Sequence, residues 1–249
     1  FPLTAENDFL PDLDAIPEET ARRAKFIYIN YPNNPTGAVA TKAFYEKLVA
    51  WAKTYEVGVV SDLAYGALGY QGYENPSFLS TPGVKDVGIE FYTFSKTFNM
   101  AGWRLAFAAG NDQMIEALNL IQDHLFVGIF PALQEAGIAA LLDPKSEEAV
   151  AQLNATYDSR RDAFVQAAAK IGWKAFPSKG SFYAWMPVPE GYTSESFADL
   201  LLEKAHVAVA PGKGFGPAGD AYVRIGLLVE PERLVEAVDR IANLQLFNN

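Results

Sequence analysis

The sequence predicts an α/β protein with a mostly parallel sheet, followed by a smaller α+β domain. Four short apolar runs, rich in β-branched and aromatic residues, occur at residues 25–30, 57–62, 88–95 and 104–110. Runs of this kind that alternate with helices or long loops are typical of strands in a sheet covered on both faces. The alternative of buried helices is disfavoured by their β-branched and aromatic content.

Capping residues and turn residues predict where the helices lie. The stretch YPNNPTG at residues 31–37 reads as a turn, and Thr41 is the predicted N-cap of the helix that follows it. Ser146 is the predicted N-cap of a long helix over residues 147–170. Another helix is expected after Ser194, and Pro231 is expected to open the last one.

The long helix is the predicted connector between two domains, residues 1–145 and residues 146–249. Helical periodicity also fills residues 112–142, just before it. The first predicted strand begins only at residue 25, so the sheet lacks the βαβ unit with which such sheets usually open. The sequence therefore predicts a fragment of a longer protein.

Composition and charge exclude several classes of function. The 249 residues include 20 basic and 30 acidic side chains, which disfavours nucleic-acid binding and polybasic attachment to a membrane. There is no cysteine, and His124 and His206 lie far apart, so a metal site is not expected. These features favour a cytoplasmic protein without metal, nucleic-acid or membrane partners.

Polar side chains follow the first two predicted strands. Asn34 lies in the turn after the first strand, where α/β sheets bind ligands, although such residues also fill ordinary turns. Asp62 ends the second strand and Tyr65 follows three residues later. Asp62 either caps the local backbone or is a buried carboxylate that needs a partner, such as the protonated ring nitrogen of a cofactor.

The stretch TFSKTFNMAGWR, residues 93–104, carries a candidate anion site and a candidate nucleophile. Thr93, Ser95 and Arg104 could surround a phosphate, and Lys96 could bond covalently to a carbonyl carbon. The alternative has Lys96 extending to solvent and Arg104 paired with a surface acid.

Arg224 and a glycine-rich loop are the remaining candidates. Arg224 lies in the apolar run YVRIGLL and needs an anionic partner, either an internal acid or a substrate carboxylate. The stretch PGKGFGPAG, residues 211–219, lacks the GK[ST] ending of a nucleotide-binding loop. We interpret it as a loop that lines the mouth of the substrate site.

Four motifs in this order resemble one family. They are NPTG at residues 34–37, D-x-A-Y at 62–65, SKTFNMAGWR at 95–104 and R-I-G at 224–226. Together they resemble the pyridoxal-phosphate-dependent class I/II aminotransferases of fold type I, over essentially the whole chain. The residues of these motifs are most similar to those of the branch that contains the diaminopimelate, aspartate and methionine-type enzymes.

This resemblance implies a fold type I architecture, with a partial large domain and a C-terminal small domain. It implies that Asn34 and Tyr65 hydrogen-bond the phenolic oxygen of pyridoxal 5'-phosphate and that Asp62 pairs with the ring nitrogen. It also implies that Lys96 holds the cofactor and later moves a proton between the substrate and the cofactor.

The remaining residues of the motifs are implied to bind anions. Thr93, Ser95 and Arg104 would bind the cofactor phosphate. Arg224 would bind the substrate carboxylate, and Asn34 is also implied to contact the substrate.

The resemblance implies transfer of an amino group between an L-α-amino acid and a 2-oxo acid, by a homodimer of the full-length protein. Two alternatives use the same scaffold. One is a pyridoxal-phosphate-dependent carbon–sulfur β-lyase, and the other is the effector domain of a transcription regulator, preceded by a helix-turn-helix.

Overall fold

Two β-sheets from opposite halves of the chain organise the structure, a computed structural model that describes residues 1–247. The first sheet has the strand order β1-β2-β3-β4, with β1 (Phe26–Asn30), β2 (Gly58–Asp62), β3 (Gly88–Thr93) and β4 (Ala106–Gly110). The first three strands are parallel and β4 is antiparallel to β3. The predicted mostly parallel sheet is therefore confirmed.

The second sheet is antiparallel and has the order β5-β7-β6. Its strands are β5 (Tyr183–Pro187), β6 (Ala210–Pro211) and β7 (Tyr222–Gly226). The α-helices are α1 (Glu18–Arg23), α2 (Lys42–Tyr55), α3 (Phe94–Thr97), α4 (Asp112–Ile121), α5 (Pro131–Leu142), α6 (Lys145–Lys170), α7 (Ser194–Leu200) and α8 (Pro231–Ala242). Within residues 1–247, no helix is long and apolar enough to cross a membrane.

Local capping interactions explain why two predicted helix starts, those of α2 and α8, are confirmed. The Thr41 side chain accepts a hydrogen bond from the Phe44 backbone N–H at the start of α2, as predicted. Pro231 is the first residue of α8, as predicted, because its missing N–H has no partner in a first helical turn.

Three predicted boundaries are wrong by a few residues. Helix α6 begins at Lys145, so Ser146 lies inside it rather than at its cap. Helix α7 includes Ser194, because Thr193 and Ser196 form a reciprocal capping box one residue earlier. Strand β3 stops at Thr93, whose hydroxyl accepts from the Ser95 N–H and starts α3. Lys96 therefore lies on a short helix.

The predicted burial of the first sheet on both faces is wrong at β1. Ile27 and Ile29 are buried against α2, whereas Phe26 and Tyr28 on the other face are 51% and 72% exposed. Helix α4 covers only part of that second face, with Met114 beside Gly58 and Phe26. An antiparallel-like alternation of buried and exposed residues thus occurs in a parallel strand.

A second exposed apolar region follows α4. We call it the 120–142 surface, and its exposed apolar residues are Leu120, Ile121, Leu125, Phe126, Val127, Phe130, Ile138, Leu141 and Leu142. Clustered apolar exposure of this kind is a feature of interaction surfaces.

The second sheet has its own core with α6, α7 and α8. Phe164, Trp173, Met186 and Leu227 are each at most 1% exposed there. The Trp173 indole Nε1–H donates to the Pro187 carbonyl at 2.8 Å, so the one polar atom of this ring is satisfied.

The segment 178–182, just before β5, joins the two sheets by crossing the loops that follow β1 and β2. The Lys179 N–H donates to the Gly37 carbonyl at 3.3 Å, and the Ser181 N–H donates to the Leu68 carbonyl at 3.3 Å. Ser178 Oγ also lies 3.2 Å from the Gly37 carbonyl, although its hydroxyl has a nearer acceptor in the Gly180 carbonyl at 2.8 Å. Helix α6 strengthens the junction, since Asn154 Nδ2 donates to the Ala67 carbonyl at 2.9 Å.

The close approach at this crossing predicts a specific stability difference between two glycines. Gly37 and Gly72 both have positive φ, +70° and +74°, but a Cβ at Gly37 would lie 2.1 Å from Ser178 Oγ, whereas a Cβ at Gly72 meets nothing within 4 Å. Both Gly→Ala substitutions incur the left-handed backbone penalty. We expect Gly37→Ala to lower the free energy of unfolding by a further ~1–3 kcal/mol, because of overpacking.

Urea denaturation of the two variants measures this difference directly, because the backbone terms cancel between them. Equal losses for Gly37→Ala and Gly72→Ala would show that the crossing is not tight.

Candidate active site

Asn30 links the carboxyl ends of β1 and β2, where the predicted ligand-binding residues gather. It is paired in register with Asp62, and its Nδ2 donates to the Asp62 backbone carbonyl at 2.9 Å. Its Oδ1 accepts from the Asn34 N–H at 2.9 Å, and its own carbonyl accepts from Asn33 Nδ2 at 3.1 Å. One side chain therefore fixes the 31–37 turn against the end of β2.

The Asp62 carboxylate faces the open end of the sheet without a cation. Its Oδ1 accepts from the Ala64 N–H at 3.1 Å, and no Lys, Arg or His nitrogen lies within 4.0 Å of it among residues 1–247. The side chain reaches solvent on one side, yet the surrounding protein removes enough water to raise the pKa of Asp62, an effect that the Ala64 N–H partly offsets.

Arg224 is held by two aromatic rings and one amide. Its guanidinium carbon lies 4.2 Å from the Tyr183 ring centroid and 4.7 Å from that of Phe215. Its Nη1 donates to Asn34 Oδ1 at 2.7 Å. Within the described part of the chain no carboxylate lies within 4.0 Å of it. The structure thus brings Asn34 and Arg224 together, and the internal acid that the sequence left open as a partner is not there.

The Lys96 ammonium lies beside aromatic rings from both halves of the chain. Its Nζ is 5.3 Å from the Phe182 ring centroid and 6.0 Å from that of Tyr65. Tyr65 is 4% exposed and packs edge-on against Phe182 at 5.2 Å. Burial raises the pKa of the Tyr65 phenol, and the Tyr183 hydroxyl raises it further. Tyr65 is therefore a neutral hydrogen-bond donor at neutral pH.

The residues of the predicted phosphate site are partly assembled. Thr93 Oγ1 lies 3.0 Å from Ser95 Oγ, and the Ser95 N–H donates to Thr93 Oγ1 at 3.2 Å. Arg104 is exposed, with φ +53°, and its Nη1 donates to the Ala101 carbonyl at 3.1 Å. The carbonyl of the next residue, Leu105, accepts from the Phe94 N–H at 3.2 Å, at the start of α3. The Arg104 side chain is therefore close in the chain to the two hydroxyls but bonded to its own loop.

Four residues that contact the candidate site residues were not predicted from the sequence. They are Asn30, Phe182, Tyr183 and Phe215. Asn30 carried a local signal, because an amide that ends an apolar strand seldom lacks a backbone partner. The three aromatic residues carried none, because their contacts with Lys96 and Arg224 join segments far apart in sequence.

Three candidate charged groups have Tyr65 as a common neighbour. The Lys96 ammonium lies over the Tyr65 ring, and the charges of Arg224 and Asp62 both act on the pKa of the Tyr65 phenol. Among residues 1–247, Asp62 has no counter-ion and Arg224 has no acid partner. No group of three or more potential metal ligands occurs among the described residues. An amine, an unpaired carboxylate and an arginine without an acid partner suit a ligand that carries both a protonated ring and an anionic group.

Comparison with known families agrees with the geometry. The family model described as aminotransferase class I and II matches residues 1–241. The chain belongs to the class I and II aminotransferase family, whose members use pyridoxal 5'-phosphate. The resemblance inferred from the four motifs, and the fold type I architecture that it implied, are confirmed.

Relatives of known activity are similar along nearly the whole chain. The L-glutamine--4-(methylsulfanyl)-2-oxobutanoate aminotransferase of Bacillus subtilis is 56% identical over 246 residues, which cover 99% of this chain and 61% of that protein. The LL-diaminopimelate aminotransferase of Moorella thermoacetica is 50% identical over 240 residues, 96% of this chain and 61% of that protein. The chain thus spans about 61% of the length of these relatives.

Solved structures show the same fold. Apo-BacF from Bacillus subtilis superposes with a TM-score of 0.94 at 46% identity and covers 100% of this chain, which spans 63% of that structure. An aminotransferase from Staphylococcus aureus superposes with a TM-score of 0.93 at 40% identity, over 100% of this chain and 66% of its own.

The residues present fit the cofactor of the family. Asp62 offers an uncompensated carboxylate with a raised pKa, which a protonated ring nitrogen would satisfy. Asn34 Oδ1 accepts from Arg224, and no hydrogen bond within residues 1–247 uses Asn34 Nδ2, so this donor is open to an oxygen of the cofactor. Lys96 supplies the amine, and Thr93 with Ser95 supplies hydroxyls.

Opposite pKa shifts of two aspartates predict opposite stability effects. The pKa of Asp62 is raised by burial above its ordinary 3.8, so its charge destabilises the fold at pH 7. The pKa of Asp220 is lowered by hydrogen bonds from Ser194, so its charge stabilises the fold. Without cofactor, Asp62→Asn should raise the free energy of unfolding by less than ~1 kcal/mol, allowing for solvent screening. Asp220→Asn should lower it.

Urea denaturation at pH 7 and at pH 4 measures both effects. The gain from Asp62→Asn should shrink as the pH falls through the raised folded pKa, because wild-type Asp62 then takes up a proton. The loss from Asp220→Asn should shrink as the pH falls through the ordinary aspartate range. A loss of stability in Asp62→Asn at pH 7 would contradict the assignment.

Proposed function

We propose that this protein is an aminotransferase that moves an amino group between an L-α-amino acid and a 2-oxo acid. The observation that carries the proposal is the Arg224 guanidinium, which has no acidic partner among residues 1–247 and is bonded to Asn34. Its ring partner Tyr183 packs against Tyr65, the ring over which the Lys96 ammonium lies. A fork of free N–H groups at that position suits the planar carboxylate that amino acids and oxo acids share.

The names of the relatives narrow the substrate class. We infer that L-glutamine serves as an amino donor and 4-(methylsulfanyl)-2-oxobutanoate as an acceptor, because the relative with this activity is 56% identical. LL-diaminopimelate is the second candidate donor, from the relative at 50% identity.

In the proposed mechanism each side chain has one task. When bound, pyridoxal 5'-phosphate supplies an aldehyde and an electron-withdrawing ring. Asp62 would hold the ring N–H of the cofactor, and the Tyr65 hydroxyl and Asn34 Nδ2 would donate to its phenolic oxygen. Lys96 Nζ would bind the aldehyde carbon, and as a free amine it would act as the base that takes the proton from the substrate α-carbon and as the acid that gives it up.

The remaining groups bind and orient. Thr93, Ser95 and Arg104 bind the phosphate, for which Arg104 exchanges its Ala101 contact for the anion. Arg224 fixes the substrate carboxylate, which sets the α-carbon in reach of Lys96.

Assembly and location belong to the same proposal. We infer two domains, residues 1–145 and 146–249, joined by α6. We also infer a homodimer of the whole protein in the cytoplasm. The exposed 120–142 surface supports an apolar interface with another polypeptide.

The lysine assignment is tested by covalent trapping. Wild-type protein mixed with pyridoxal phosphate should gain a visible absorbance band, and borohydride should fix the cofactor to the peptide that contains Lys96. Lys96→Ala should lose both signals. Lys179→Ala is the matched control, because Lys179 also lies over an aromatic ring, that of Tyr73 at 5.7 Å, yet has no role in the proposal. A trapped cofactor on any other lysine, or in Lys96→Ala, would refute the assignment.

Amino transfer is distinguished from carbon–sulfur cleavage by the products. The protein with cofactor should convert 4-(methylsulfanyl)-2-oxobutanoate to methionine when an amino donor is present, and it should release no pyruvate from cystathionine. Arg224→Lys should lower kcat/KM for amino transfer by roughly 100-fold, since a point charge replaces a bidentate fork. Pyruvate release without amino transfer would assign the protein to the β-lyases.

A further inference from the structure

The glycine-rich loop at residues 211–219 carries an aromatic ring to Arg224. Phe215 lies at its centre, 41% exposed, with its ring centroid 4.7 Å from the Arg224 guanidinium carbon. The same ring lies edge-on to Trp185 at 5.9 Å, and Trp185 is the register partner of Arg224 across β5 and β7. Phe215 therefore connects the arginine to the wall of the second sheet.

The loop is built to hold Phe215 in one position. Gly216 has φ +122° and ψ 163°, a conformation that only glycine adopts readily. The base of the loop is closed by Gly212 and Gly219, since a Cβ on Gly219 would lie 2.1 Å from the Gly212 carbonyl oxygen. The Lys213 N–H donates to Ser194 Oγ at 3.2 Å, which ties the loop to α7.

Tyr183 completes the surroundings of the guanidinium. Its ring centroid lies 4.2 Å from the guanidinium carbon, so two rings contact one cation well within the 6 Å range of cation–π attraction. The only hydrogen bond of this guanidinium within the described residues goes to Asn34 Oδ1. Most of the guanidinium N–H groups are thus left for a ligand. The two rings restrict the plane of the Arg224 guanidinium and exclude water from its faces.

We propose that Phe215 is a positioning residue for substrate carboxylates, which with Tyr183 fixes the plane of the Arg224 guanidinium before the ligand binds. The proposal rests on the proposed function, because it takes Arg224 as the carboxylate site. A preset plane lowers the ordering cost of bidentate binding, and partial desolvation strengthens the ion pair. The ring therefore favours ligands with a planar carboxylate over neutral ligands of the same shape.

A pair of matched ligands tests the role of Phe215. The probes are 4-(methylsulfanyl)-2-oxobutanoate and 4-(methylsulfanyl)butan-2-one, which lacks the carboxylate, titrated calorimetrically into protein that contains cofactor. Phe215→Ala should weaken binding of the oxo acid about tenfold, in the range of a partly desolvated cation–π contact. Binding of the ketone should be unchanged. Phe215→Tyr, which keeps the ring, should restore the affinity for the oxo acid to within about twofold.

Controls separate positioning from general damage. Phe26→Ala removes an aromatic ring of similar exposure, 51%, on β1 and should leave both affinities unchanged. In steady-state kinetics, Phe215→Ala should raise KM for the oxo acid and change kcat little, because the contact is present in both ground and transition states. Phe215→Leu, which keeps apolar bulk, should behave like Phe215→Ala.

Each contrary result has a distinct meaning. Equal weakening of oxo acid and ketone, or full affinity in Phe215→Leu, would overturn the proposal, because Phe215 would then act only through its bulk. Unchanged oxo-acid affinity in Phe215→Ala would overturn it as well. If wild-type protein fails to prefer the oxo acid over the ketone, Arg224 is not the carboxylate site, and both the proposed function and this inference fail.

Discussion

The rest of the structure depends on the close approach of Gly37 to the segment 178–182. The missing side chain at Gly37 lets Ser178 lie against the turn that carries Asn34, and backbone hydrogen bonds to Gly37 and Leu68 hold the segment there. Tyr183 follows this segment directly as the first residue of β5, so β5 begins beside the candidate site. The bond between Asn34 and Arg224, 190 residues apart, is a consequence of this crossing. The relative position of the candidate site residues from the two sheets is therefore set by backbone contacts rather than by flexible side chains.

Two acids on neighbouring strands differ in how many hydrogen bonds their carboxylates accept, and therefore in whether they have a structural or a ligand-binding role. Glu90 is 4% exposed, and its carboxylate accepts from Ser61 Oγ, Ser77 Oγ and the Phe78 N–H. Its hydrogen-bonding capacity is used, so it fixes the loop before β3 and has no need of a ligand. Asp62 lies on the adjacent strand and accepts only from the Ala64 N–H within residues 1–247. An acid in this state lowers stability until a cation arrives, which is the condition expected of a binding group.

Local patterns predicted most of the secondary structure but little of the contact geometry. The β-branched runs fixed the strands of the first sheet, and Thr41 and Pro231 fixed two helix starts, because capping is decided within a few residues. The motifs supplied the charged residues of the candidate site. They could not indicate Phe182 or Phe215, whose positions depend on how the second sheet folds onto the first. The exposed face of β1 was also unpredictable, since an apolar strand has the same sequence whether or not another segment covers it.

Two cations of the candidate site, Lys96 and Arg224, share one physical feature: aromatic rings rather than carboxylates contact them. Lys96 lies over Phe182, and Arg224 lies over Tyr183 and Phe215. A carboxylate partner would fix an arginine equally well, but it would neutralise the charge and compete with an anionic ligand. A ring attracts the cation through its quadrupole and leaves the net charge intact. Holding a cation in this way orients it without using up its capacity to bind an anion, which suits Arg224 to a carboxylate ligand.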